Sequence, residues 1–128
     1  MAEAKWCLVG GGQAHRVNGE YSGIVAGKTN TASGTYAFIG GGVDNRITIA
    51  GHYTTLTGGE SNTARGNHSV VSGGFSNLAN AQFSRVGGGT LNTARGLASM
   101  VGGGDMNGAM SKLTFVGGGE ANTASEGR

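Results

Sequence analysis

Residues 87–104 read GGGTLNTARGLASMVGGG, and they contain one complete copy of a unit that recurs along the whole chain. A GGG-like tripeptide begins each copy, and the interval between copies is 15 residues except after Gly40, where it is 17. A short fixed period predicts a solenoid, in which each repeat stacks on its neighbours. The tripeptides begin at Gly10, Val25, Gly40, Thr57, Ser72, Gly87, Gly102 and Gly117.

Each copy ends in a branched aliphatic residue with a small residue two positions before it, as in Ser99 and Val101. Alternation with period two predicts a strand, here one such as 69–73, and β-branched residues favour it. The Asn-x-Ala-x-Gly segment alternates too and predicts a second short strand. We therefore predict an all-β fold, a parallel β-solenoid of eight 15-residue coils, about 38 Å long at about 4.8 Å per coil.

The solenoid is predicted to be one domain, residues 1–128, with a two-residue insertion near 46–51 that widens one corner without stopping the stack. The third residue of every tripeptide is glycine, which predicts a corner with positive φ or a close approach of backbone. These corner glycines are Gly12, Gly27, Gly42, Gly59, Gly74, Gly89, Gly104 and Gly119.

An asparagine stands three residues after each tripeptide, except that His15 takes its place in the first copy. Equivalent asparagines in stacked coils predict a ladder in which side-chain amides pair along the rod. The ladder residues are Asn30, Asn45, Asn62, Asn77, Asn92, Asn107 and Asn122.

Large apolar residues flank the small residue of the first strand on both sides, and alternation assigns them to the face away from the coil interior. Soluble monomers rarely expose apolar patches of that extent, so we predict a homo-oligomer. A wider monomeric coil with the rings inside is the alternative. The predicted interface residues are Trp6, Tyr21, Tyr36, Phe38, Tyr53, Val70, Phe83, Met100, Leu113 and Phe115.

Composition narrows the functional classes. The formal charge is +2, and Arg and Lys are scattered over the repeats rather than gathered into a stripe, so we predict no nucleic-acid partner. No apolar run approaches the ~20 residues of a membrane span. No secretion signal is visible in the opening residues MAEAKWCLVGGG, which leaves an extracellular location open. Cys7 is the only cysteine, which excludes an internal disulfide.

No constellation of catalytic or metal-binding residues is visible. His15, His52 and His68 occupy different positions of the repeat, and the acidic residues lie in different coils near turns. We therefore expect no enzyme activity, no metal and no cofactor. Thr31, Thr63, Thr93 and Thr123 share one repeat position, as in solenoids that bind ice, but Arg16, Arg46, Leu78 and Gly108 interrupt them, so ice binding is a minor alternative.

The segments Ser69-Val70-Val71-Ser72-Gly73 and Ser99-Met100-Val101-Gly102-Gly103, each with its Asn and Ala, resemble the YadA-like head repeat of trimeric autotransporter adhesins. Related repeats of phage and viral fibres look similar, and the likeness covers essentially the whole chain. The resemblance implies a left-handed β-roll, a homotrimer, and a role in adhesion or as a stalk-like spacer on a cell or virion surface.

Two functions from different classes follow. The repeat begins and stops in mid-unit, and solenoids normally carry polar caps, so the first expectation is a fibre-forming structural protein that associates laterally and end to end into an extracellular filament, or a piece of a longer fibre. The second is an adhesin or fibre head that binds a host-surface protein or glycan through exposed residues such as Arg65 or Arg95.

Overall fold

The computed structural model describes residues 5–126, and within them sixteen two-residue strands, numbered in chain order, form two parallel eight-stranded sheets. No helix occurs in this range. The first sheet contains β1 (Leu8–Val9), β3 (Gly23–Ile24), β5 (Phe38–Ile39), β7 (Thr55–Leu56), β9 (Val70–Val71), β11 (Arg85–Val86), β13 (Met100–Val101) and β15 (Phe115–Val116). The second contains β2 (Arg16–Val17), β4 (Thr31–Ala32), β6 (Arg46–Ile47), β8 (Thr63–Ala64), β10 (Leu78–Ala79), β12 (Thr93–Ala94), β14 (Gly108–Ala109) and β16 (Thr123–Ala124).

Strand pairing follows the sequence period, which confirms the parallel β-solenoid of eight turns. Val71 pairs with Val86, and Ala79 pairs with Ala94, each 15 residues further on. A third line of single-residue bridges runs between the sheets, so every coil carries three backbone ladders rather than two. We call this third ladder the bridge line; its members are Gln13, Lys28, Val43, Glu60, Phe75, Thr90, Asp105 and Glu120.

The strands are shorter than the alternation predicts. The predicted strand 69–73 is reduced to Val70–Val71 because His68 before it has φ of 55° and Gly74 after it has φ of 89°. A left-handed backbone conformation turns the chain and ends the ladder on each side. Each coil contains two such non-glycine residues, one before each sheet, and nothing in the residue types indicated them.

The core is a narrow column with one branched aliphatic residue and one alanine in most coils, as predicted. Val71 and Ala79 are fully buried, and Ile47 takes the place of alanine in the third coil. The small residue two positions before the aliphatic one also points inward; Ser22, for example, donates to the Gly34 carbonyl at 2.7 Å. Each inward side chain is therefore small enough to fit the narrow space between the two sheets.

The asparagine ladder forms inside the coil, but the predicted pairing of side-chain amides is wrong. The Asn77 Oδ1 accepts from the backbone N–H of Asn92 at 2.9 Å, one coil further on. The Asn77 Nδ2 donates to the Gly73 carbonyl at 2.9 Å and to the Gly89 carbonyl at 2.8 Å. The amide satisfies backbone groups at the corner, where the ladder leaves donors and acceptors without a strand partner.

The corner glycines confirm both predicted reasons for their identity. Gly59 has φ of 88°, and a β-carbon placed on it would overlap the Gly74 carbonyl oxygen of the next coil and lie 2.6 Å from the Asn62 Nδ2. All eight corner glycines have φ between 82° and 101°. Side chains there would push adjacent coils apart, so glycine sets the spacing of the rod.

The 17-residue coil holds its two extra residues at one outer corner, as predicted. Thr48 keeps the ladder bond of its position, donating to the Ala64 carbonyl at 3.1 Å, and Gly51 closes a turn onto the Thr48 carbonyl at 2.9 Å. Ile49 and Ala50 lie in that turn, and Ile49 is 78% exposed. Both eight-stranded sheets continue past the insertion.

Deleting Ile49 and Ala50 should leave the fold intact and change the free energy of unfolding by less than about 1 kcal/mol, because loop length at an exposed corner has little energetic effect. Urea unfolding followed by circular dichroism measures the change. As a control, deleting Arg95 and Gly96 removes two residues from the same corner of a 15-residue coil, where both donate to the Ala109 carbonyl, and should prevent normal folding. Equal damage by the two deletions would show that the insertion is part of the stack.

Candidate functional site

The large apolar residues predicted to form an interface lie outside the coil, on two neighbouring lines. The first line, at the corner before the first sheet, holds residues with φ between 52° and 60°, so these side chains leave a turn rather than the strand face that alternation predicted. It contains the predicted residues Trp6, Tyr21, Tyr36, Tyr53, Phe83 and Leu113, with His68 and Ala98 in register.

The second line is the outer face of the first sheet, where alternation was a correct guide. Phe38, Met100 and Phe115 are exposed there, and Val70 is half-buried, while their strand neighbours Ile39, Val71, Val101 and Val116 point inward. Thr55 and Arg85 interrupt the line. We call the corner line and this strand line together the aromatic stripe.

Five consecutive rings of the corner line form a continuous stack. Centroid separations are 5.0 Å from Tyr21 to Tyr36, 4.8 Å from Tyr36 to Tyr53, 5.0 Å from Tyr53 to His68 and 5.2 Å from His68 to Phe83, with interplanar angles of 3° to 17°. The separation matches the strand spacing, because one ring is contributed by each coil. The ring faces cover one another, so the stack presents ring edges to the solvent.

The wider monomeric coil with the rings inside is wrong. Tyr36 is 46% exposed and Phe83 is 49% exposed, whereas the aliphatic residues that close the coil are buried. The interior has no room for a ring, since asparagine, serine or threonine, and alanine already fill it. The aromatic stripe is therefore a surface of the rod.

A second surface escaped the sequence analysis, which treated the basic residues as scattered. Four arginines stand on the outer face of the second sheet: Arg16 and Arg46 at the first strand position, and Arg65 and Arg95 two residues after it. All four are exposed. Aligning the copies in columns would have revealed them, because the two columns are separated by one buried residue and so face the same way.

The two columns share one face. The Met110 Cε occupies the space that a β-carbon on Gly108 would take, so the Met110 side chain covers the outward side of Gly108. We call this surface, formed by the two outward columns of the second sheet, the arginine face. Its members are Arg16, Asn18, Thr31, Ser33, Arg46, Thr48, Thr63, Arg65, Leu78, Asn80, Thr93, Arg95, Gly108, Met110, Thr123 and Ser125.

The three histidines lie in three different environments. His15 is buried in the asparagine ladder, where its Nδ1 accepts from the Asn30 backbone N–H at 3.3 Å. His52 lies in a turn and accepts from the Thr35 backbone N–H at 3.1 Å, and His68 belongs to the ring stack. Within residues 5–126 there is no group of three His, Cys, Asp or Glu side chains placed to hold a metal ion.

The described part of the chain contains no pocket, and no helix in it is long and apolar enough to cross a bilayer. The fold and its surfaces thus define the class of protein: a parallel β-solenoid whose candidate functional surfaces are the aromatic stripe and the arginine face. A comparison with protein-family models found no matching family, and a comparison with curated proteins found no relative.

Proposed function

We propose that this chain is a structural β-solenoid that self-associates through its aromatic stripe, as a homotrimer of left-handed rolls, and stacks end to end into an extracellular filament. The observation that carries the proposal is the exposed aromatic stripe, which includes five rings already aligned in one stack. Aromatic side chains bury large areas and contribute strongly to association when they pack against a partner.

Lateral association would remove the aromatic stripe from water. The rings cover one another's faces along the rod, but their edges and the neighbouring Phe38 and Phe115 remain in water. A second rod lying alongside would bury both lines over the whole length, because coils of equal spacing keep the two stripes in step. Three rods around a common axis, the arrangement that the resemblance to trimeric adhesin heads implies, would also bury every stripe.

End-to-end stacking is supported by the sameness of the coils. The upper surface of each coil fits the lower surface of the next through the same three ladders and the same asparagine bonds. Because each coil is nearly a copy of its neighbour, the fit does not depend on which two coils meet. Strand edges that repeat in this way are templates for adding a further chain.

Replacing Tyr36 and Phe38 with Asp should reduce the oligomer to a monomer, because charges would then lie in the buried contact between rods. Size-exclusion chromatography with light scattering measures the mass against the 12.7 kDa of one chain. The matched control replaces Phe75 and Leu91 with Asp and should leave the mass unchanged. These two residues are similarly exposed, Phe75 on the bridge line and Leu91 directly after it. An unchanged mass in the Tyr36/Phe38 variant would contradict lateral association.

The filament is a separate part of the proposal with its own measurement. Electron microscopy of the purified protein should show rods that lengthen as concentration rises. Trimers whose length is independent of concentration would contradict end-to-end stacking while leaving lateral association in place.

A binding module, such as an adhesin or fibre head on a cell or virion surface, is the second candidate function. The arginine face favours it, since this surface is exposed, charged and separate from the aromatic stripe. Ice binding remains the minor alternative, and the arginines that interrupt the threonine column count against the regular surface it needs.

A further inference from the structure

The arginine face carries charge of one sign. Four of its sixteen members are arginine, and none of the sixteen, all within residues 5–126, is aspartate or glutamate. No hydrogen bond or ion pair among the described residues engages any of the four guanidinium groups. A protein surface with unpaired guanidinium groups attracts anions. The planar N–H donors of each guanidinium group can bind two oxygens of a carboxylate or sulfate at once.

The charges are spread along the rod in a line. Arg16 and Arg46 are two coils apart, Arg65 lies one coil beyond Arg46, and Arg95 lies two coils beyond Arg65. At about 4.8 Å per coil, the four charges extend over about 24 Å. Such a row fits a linear polyanion lying parallel to the rod axis better than it fits a small compact anion.

We propose that the arginine face binds a linear anionic polysaccharide, with its sulfate or carboxylate groups on the four guanidinium groups. The arginine face also presents threonines: Thr31 lies in the coil between Arg16 and Arg46, and Thr63 and Thr93 lie in the same coils as Arg65 and Arg95. Their hydroxyl groups both donate and accept hydrogen bonds, as sugar hydroxyl groups require. Charge fixes the polysaccharide to the face, and the threonine hydroxyl groups contact its uncharged parts.

Single-stranded nucleic acid, another linear polyanion, fits this face less well. Proteins that bind it combine positive charge with aromatic side chains on which the bases stack. The sixteen members of the arginine face include no aromatic residue, and the rings of the described chain that are stacked lie on the aromatic stripe.

A second copy of the chain also fits the face less well. The acidic members of the bridge line are Glu60, Asp105 and Glu120, at intervals of three coils and one coil. The arginines follow intervals of two, one and two coils, so rods lying side by side cannot match each arginine with an acidic residue of the bridge line. The pattern of charges therefore favours a flexible external chain.

The polysaccharide proposal rests on the second candidate function, the binding module, and not on self-association. The two surfaces are separate, so each can be removed alone. The Tyr36/Phe38 variant should bind polysaccharide whatever happens to its mass, and the arginine variant below should keep the wild-type mass.

The test variant replaces each arginine with a residue that the same column already holds in another coil, so that the coil geometry is preserved. The changes are Arg16→Thr, Arg46→Thr, Arg65→Ser and Arg95→Asn. The control variant removes four positive charges from outside the arginine face, with replacements again taken from each column. Its changes are Lys5→Gln, Lys28→Gln, Arg85→Thr and Lys112→Gln.

Titration calorimetry of the purified full chain would use four probes: heparin as a sulfated chain, polygalacturonate as a carboxylated chain, dextran as a neutral chain, and a single-stranded oligonucleotide. We expect wild type and the control variant to bind at least one of the two anionic polysaccharides, and neither to bind dextran. The arginine variant should bind about tenfold more weakly or worse, since each exposed charge contact contributes modestly and four are lost together. The stronger of the two anionic probes identifies the preferred anion.

Three results would overturn the proposal: no binding of either anionic polysaccharide by wild type, an equal loss in both variants, or an oligonucleotide affinity as high as that for polysaccharide. An equal loss would assign binding to net charge alone. Circular dichroism checks that each variant keeps its β-structure. If the fourfold variant does not, the Arg65→Ser/Arg95→Asn pair gives the same test with a smaller loss, of about threefold.

Discussion

Replacing Gly59 with alanine should lower the free energy of unfolding by an amount on the order of 4 kcal/mol or prevent folding altogether. Gly59 has φ of 88°, which alanine adopts only with strain. The added methyl group would also overlap the Gly74 carbonyl oxygen and lie 2.7 Å from the Gly74 nitrogen. These are backbone atoms of the next coil, so the overlap is relieved only if two coils separate and their ladder bonds lengthen.

The neighbouring Gly58 supplies a matched control one residue away. A β-carbon on Gly58 meets no atom within 4 Å, and its φ lies outside the left-handed region. Gly58→Ala should therefore change stability by less than about 1 kcal/mol, with a small gain from reduced flexibility of the unfolded chain. Urea unfolding of both variants measures the difference, and similar midpoints would mean that the corner does not set the coil spacing.

The second large effect is expected on replacing Asn77 with alanine, which should cost about 3 kcal/mol or more. The change removes the acceptor of the buried Asn92 backbone N–H and the donor to the Gly73 and Gly89 carbonyls. Gly89 keeps one partner, the Phe75 N–H at 2.9 Å, but the Asn92 N–H loses its side-chain acceptor. A buried polar group without a partner costs about 1–3 kcal/mol.

Asn122 is the natural comparison for Asn77, since it holds the same ladder position in the last described coil. Its side chain is exposed and makes one bond, from Nδ2 to the Gly118 carbonyl at 3.0 Å. Asn122→Ala should cost less than about 1 kcal/mol in the same urea experiment, because water replaces the lost partner. If Asn122→Ala proved as harmful as Asn77→Ala, the cost would not arise from burial of the ladder.

The repeat was sufficient to predict the stack, because one period fixes both which residues pair and which point inward. The aliphatic column, the corner glycines and the place of the insertion all follow from it. Turn geometry was the main omission: Tyr36 and its equivalents have left-handed φ without being glycine, asparagine or aspartate. Residue type alone does not signal such a turn, because packing between coils and ring stacking stabilise it.

The outer surfaces were predicted only in part, because alternation along the sequence does not show where the chain turns. Alternation correctly placed Phe38 outside its strand but assigned Tyr36 to the same face, although Tyr36 stands at the corner before it. The asparagine bonds depend on where backbone donors and acceptors lie after the turn, which composition does not reveal. Arg46 and Arg65 looked unrelated in the linear sequence because they lie in adjacent coils and in different columns, whereas stacking makes them neighbours.

The turn at Ile49 and Ala50 shows that the length of the rod and the shape of its corners are independent. The rod's length depends on the number of coils, while the chain at this corner varies without affecting the ladders. A guest peptide placed between these two residues would project at mid-rod and leave both sheets continuous. This corner is thus a position at which a label or a foreign epitope can be displayed at a known height along the rod.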